Sequence, residues 1–193
     1  MRFFQLRPRT FCLAFTLITG TVFAQDDVGT ALKQSQAHYQ QGQLLAASTA
    51  LEQAHFLIFE QALNEIAARL PALDTPWQRD PHTIDHPQKM LGLARLEQRY
   101  YDPQGHQIMV RVLLNNPLQP LLKDMLETPQ LVQAMGAQRL SFGKAEGILL
   151  DSQCDACELQ IMAAPQMTVV LEGSAGTRQQ LLLLAKKMDF SPL

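Results

Sequence analysis

The stretch MTVVLEGSAGTRQQLLLLAKKMDF, residues 167–190, decides the fold. Its first five residues are apolar or β-branched and suit a buried strand. Its last fourteen predict an amphipathic helix, with Thr177 at the N-cap. Lys186 and Lys187 then sit at the negative end of the helix dipole. Between them, EGSAGT reads as a strand-to-helix turn. It has two glycines but lacks the lysine and the spacing of a phosphate-binding loop.

Upstream, the short periods continue. LQIMAA (159–164) and QMTVVLEG (166–173) predict strands on either side of Pro165, and QRLSFGKAEGILLD (138–151) gives one or two more, with Gly143 and Gly147 at bends. PLQPLLKDMLETPQLVQAM (117–135) reads as helix, with Leu118, Leu121, Leu122, Met125 and Leu126 on one side, and Pro129 splits it. ARLEQRYYD (94–102) and HQIMVRVLLNN (106–116) form a hairpin about the turn Asp102-Pro103-Gln104-Gly105. Residues 93–193 therefore predict a mostly antiparallel sheet with two helical segments, in the order β-β-α-β-β-β-α.

The N-terminal third has a different period. Leu44, Ala47, Leu51, Ala54, Ile58, Ala62 and Ile66 recur at spacings of three and four, one apolar stripe of a helix. The reading is an antiparallel helical hairpin within residues 25–70, with helices over 28–40 and 43–70. Gly42 forms the turn and Pro71 the stop. Residues 71–92 carry four prolines and read as an irregular linker, with Trp77 capping the core where hairpin meets sheet. The class is α+β.

HYQQGQLLAASTALEQA (38–54) resembles the middle of one tetratricopeptide repeat. Gly42 stands at the turn, and Ala47 and Ala54 match the small positions where the helices touch. The resemblance covers one repeat; it implies either an ordinary hairpin or one that docks on a partner. The whole order, with LPALDTPW (70–77) after a long helix and residues 167–189 at the end, resembles an uncharacterised family of exported bacterial proteins. That resemblance implies the fold and export, and no catalytic residue.

The N-terminus, MRFFQLRPRTFCLAFTLITGTVFAQDD, has three arginines, a short apolar run and small or modest side chains before Gln25. It reads as a secretory signal peptide, residues 1–24, cleaved after Ala24. Its apolar run is too short for a mature membrane span. Cleavage removes three arginines and no acid, which takes the net charge from −2 to −5. No basic cluster remains, which argues against nucleic acid as a partner. The expected location is the periplasm, or outside the cell, with no membrane span after cleavage.

DSQCDACELQ (151–160) holds the two cysteines left after cleavage, Cys154 and Cys157. Three chemistries compete. In an oxidising compartment the pair forms a structural disulfide across a turn between two strands. So small a loop contributes about 2 kcal/mol before strain. As a redox centre it would need a helix N-terminus, and Asp151, Asp155 and Glu158 would raise the thiol pKa. As half of a metal site it would need His82 and His86 from DPHTIDH, which Pro81 and Pro87 keep from being a regular helix. The disulfide is favoured.

No nucleophile elbow, phosphate loop or carboxylate pair stands out, and Glu60 and Glu65 read as solvated. The methionines scatter among apolar neighbours and read as core filling. The expectation is an exported, non-enzymatic binding or accessory factor without a cofactor, acting on an envelope protein or a small ligand. The alternative is a periplasmic metal-handling or thiol-redox factor built on Cys154 and Cys157.

Overall fold

The computed structural model describes residues 22–88, 92–151 and 156–190. Two long helices come first, α1 (Val22–Gln40) and α2 (Leu44–Arg69). The strands are β1 (Gln78–Arg79), β2 (Thr83–Gln88), β3 (Leu93–Tyr101), β4 (Gln107–Leu114), β5 (Gln138–Phe142), β6 (Ala145–Asp151), β7 (Cys157–Ala164) and β8 (Met167–Gly173). Helices α3 (Gln119–Glu127) and α4 (Pro129–Ala134) lie between β4 and β5, and α5 (Arg178–Lys187) follows β8.

The strands form one antiparallel sheet in the order β1-β3-β4-β8-β7-β6-β5, with β2 also on β3. The α+β class follows from this arrangement. Several details differ from the sequence reading. The stretch 71–92 is not wholly irregular, because β1 and β2 pair along the edge of β3 there. An edge strand tolerates the prolines that made this stretch read as a linker. After the split helix four strands follow, not three, since residues 138–151 fold as a complete hairpin. Gly143, with φ +65°, is in its turn, but Gly147 lies inside β6. A Cβ on Gly147 would come within 2.7 Å of the Gln160 carbonyl oxygen.

One face of the sheet is the core. Leu96, Tyr100, Ile108, Val110, Val112, Leu159, Ile161, Val169 and Leu171 alternate along their strands and are fully buried. The inner end of α2 covers this face through Leu63 and Ala67, and α5 through Leu181, Leu184 and Ala185. Trp77 packs against the rim of this cluster. Two hydrogen bonds tie the end of α2 to the sheet edge. The Tyr100 hydroxyl donates to the Pro71 carbonyl at 2.8 Å, and Arg79 donates to that of Leu70 at 3.1 Å.

Gly173 lets α5 close on the sheet. A Cβ there would overlap Thr177 Oγ1 and approach Cys157 Sγ to 3.0 Å. Thr177 holds the N-cap position, but its hydroxyl donates back to the Ser174 carbonyl instead of capping the helix. The other face carries a smaller cluster of Leu122, Leu126, Val132 and Ile148, where α3 and α4 rest on the sheet.

Candidate functional site

The hairpin of α1 and α2 is joined by small side chains. Ala31 on α1 and Ala47, Ala50 and Ala54 on α2 are buried, and the Ser35 hydroxyl donates to the Ala47 carbonyl at 2.8 Å. Gly42, with φ +72°, makes the turn. Its N–H bonds the Tyr39 carbonyl while the Gln43 N–H bonds that of His38, the Schellman pattern of a helix end.

Larger apolar side chains on the same hairpin stay outside. Leu32 and Tyr39 on α1, and Leu44, Leu51 and Ile58 on α2, are all exposed, Leu51 by 55% and Tyr39 by 69%. Each row keeps a seven-residue spacing. At 100° per residue, each is turned by about 70° from its own helix's inter-helix side, in the same sense. In an antiparallel pair that places both rows on one side of the hairpin. Leu32 then lies level with Leu51, and Tyr39 with Leu44. The apolar stripe read from the sequence is thus shared among three surroundings. Its outer alanines face α1, Leu44, Leu51 and Ile58 face solvent, and Ala62 and Ile66 pack against the sheet core.

The inner half of α2 reaches the sheet through a ring cluster. The His55 ring lies 4.1 Å from that of Phe59, and His86 on β2 lies 4.9 Å from Phe56. His82 contacts Asn64 at 3.3 Å. These partners are helical and aromatic side chains, not cysteines. Four strand spacings separate β2 from β7, about 19 Å. The histidines and Cys157 therefore do not converge into the four-ligand site considered from the sequence. Among the described residues, no three His, Cys, Asp or Glu side chains gather to hold a metal ion.

Cys154 lies outside the described residues. Cys157 opens β7 opposite Asp151 of β6, so the two flanking strands do pair as a hairpin. Its side chain is buried on the core face beneath α5. Glu60 and Glu65 are exposed on α2.

The sheet's other face carries a ladder of charges that sequence reading did not single out. Arg95 meets Asp85 at 2.6 Å, Arg111 meets Glu97 at 3.0 Å and also pairs with Glu172, and Arg99 donates to Asp80 at 2.6 Å. The signal was present in the alternate positions of β3, where Arg95, Glu97 and Arg99 fall on one side. The hydrogen bonds that Arg95 donates to Asp85 raise its pKa against the pull of burial, with the charge of Glu97 helping. For Arg111 burial is the largest influence and acts downward, yet the bonds and charges of Glu172 and Glu97 outweigh it, so its pKa is raised. These charges satisfy one another and leave little for a partner.

No family model, curated protein or solved structure matches the chain. Among the described residues, no helix is long and apolar enough to cross a membrane. The class defined by fold and site is an α+β protein with a helical hairpin whose outer end presents an apolar row.

Proposed function

We propose that the chain is an exported, non-enzymatic binding factor of the bacterial envelope, with the hairpin as its docking arm. The apolar row of Leu32, Tyr39, Leu44, Leu51 and Ile58 carries this reading. Its occupant is an apolar helical surface of a second envelope protein. The row has the heptad spacing of helices that pack on helices, and charges are scarce beside it. The signal-peptide pattern of residues 1–24 and the resemblance to exported bacterial proteins support the compartment. The burial of Cys157 supports a structural disulfide with Cys154 over a redox role, because thiol exchange needs access.

A photo-crosslinking residue at position 51, compared with one at position 60, tests the proposal in exporting cells. The expected result is one discrete adduct from position 51 and none from position 60. It disappears in a Tyr39→Glu background and is rebuilt with the purified partner. Equal labelling from both positions contradicts the docking arm. An adduct of twice the chain's mass replaces the partner with a second copy. The intact mass of the exported chain, expected to lack residues 1–24, tests the compartment.

A further inference from the structure

Among the described residues, most cationic side chains are spoken for. Arg69, Arg95, Arg99, Arg111, Lys123, Arg139 and Lys187 each meet a carboxylate, and Arg79 meets a backbone carbonyl. Among the described residues, the lysines and arginines left without a hydrogen bond or ion pair are Lys33, Lys144 and Lys186. Two of these three border the same groove. It measures about 710 Å³ and lies between the β5–β6 turn, the β7–β8 turn and the end of α5.

The groove is amphiphilic. Phe142 and Phe190, with ring centres 6.1 Å apart, and Met188 line its apolar side. Lys144 stands in the two-residue turn after Gly143, where no helix dipole calls for a cation. Lys186 lies in the last turn of α5, beside a Lys187 that already pairs with Asp74. Among the described residues, the one acid on the border, Asp189, is engaged by another group. In a chain of net negative charge, two unpaired ammonium groups beside half-buried aromatic rings call for a ligand with the opposite charge and an apolar body.

We propose that this groove binds a single-chain anionic amphiphile. Its carboxylate or phosphate head lies between Lys144 and Lys186, and its tail lies on Phe142, Met188 and Phe190. The outer hairpin lines no part of this site, so the inference is independent of the docking arm.

Calorimetric titration of the full exported chain tests it. The probes are dodecanoate and dodecyl phosphate below their micellar concentrations, dodecanol, acetate and inorganic phosphate. The expected result is one-to-one binding of the two charged amphiphiles. Dodecanol should bind at least about tenfold more weakly, and the small anions should not bind measurably. The double variant Lys144→Gln/Lys186→Gln should lose at least about tenfold in affinity for dodecanoate at an unchanged unfolding midpoint. Lys33→Gln should lose nothing. Equal binding of dodecanol, binding of several amphiphiles per chain, or an unaffected double variant overturns the proposal. Saturation by acetate or phosphate alone also overturns it, in favour of a plain anion site.

Discussion

Helix α2 is one continuous helix with two different lives. Its inner half, residues 55–69, lays Leu63 and Ala67 on the sheet, both nearly or fully buried. Its outer half, residues 44–54, buries only alanines, against α1, and leaves Leu44, Leu45 and Leu51 in solvent. The hydrophobic effect rewards the first arrangement by about 1.5–3 kcal/mol for a large buried side chain and does little for the second. Helix periodicity is the same in both halves. What differs is side-chain size at the position facing a neighbour, so the outer half is built for a close helix pair and not for a core.

The largest test of this contrast is a pair of truncations. Leu63→Ala should cost about 2–5 kcal/mol in urea unfolding. Leu51→Ala should stay within about 0.5 kcal/mol. Equal costs would erase the distinction between the halves. Next comes Gly173→Ala, which forces a methyl into Thr177 and Cys157 beneath α5 and should cost about 1–3 kcal/mol. A silent substitution there would show that α5 sits less closely on the sheet than described.

A smaller effect is expected at the joint between α2 and the sheet. Tyr100→Phe removes the bond to the Pro71 carbonyl and should cost about 1 kcal/mol at neutral pH. Burial raises the Tyr100 pKa, and the nearby Arg79 lowers it by less. A raised folded-state value means the contribution is complete below the ordinary tyrosine pKa of about 10 and fades as pH rises through the folded value. The wild type should therefore lose stability above that pH more steeply than Tyr100→Phe, as read by unfolding midpoints across an alkaline series. Smallest of all is Arg95→Ala. It removes half-exposed ion pairs to Asp85 and Glu97 and should cost about 0–1 kcal/mol, less in high salt. A larger cost would mean that the charged face of the sheet contributes to the fold as the core does.

Much of this architecture was legible residue by residue. The turn at Gly42, the stop at Pro71, the hairpin about Asp102 and the split at Pro129 all fall where local chemistry puts them. At the Asp102 turn the carboxylate accepts the backbone N–H groups of Gln104 and His106 and meets the His106 ring at 2.7 Å. Burial opposes these contacts, and together they outweigh it and hold the Asp102 pKa below the usual carboxylate value.

What escaped was tertiary. The edge strands β1 and β2 are short and lie among prolines, with Pro87 inside β2, and only pairing with β3 makes them strands. The exposed row on the hairpin could not be separated from the stripe containing Ala47 and Ala54, because spacing alone does not say which neighbour a face meets. Lys144 and Lys186 are 42 residues apart in the chain, and only the fold brings them to one groove.

By this contrast the outer row serves contact and not folding. Leu51→Glu in the full chain tests it most directly, with the urea midpoint and the position-39 photo-adduct measured on the same variant. The expected result is an unchanged midpoint and a lost adduct. A fallen midpoint would make Leu51 part of the fold, and an adduct that survives the charge would mean that Leu51 takes no part in the contact.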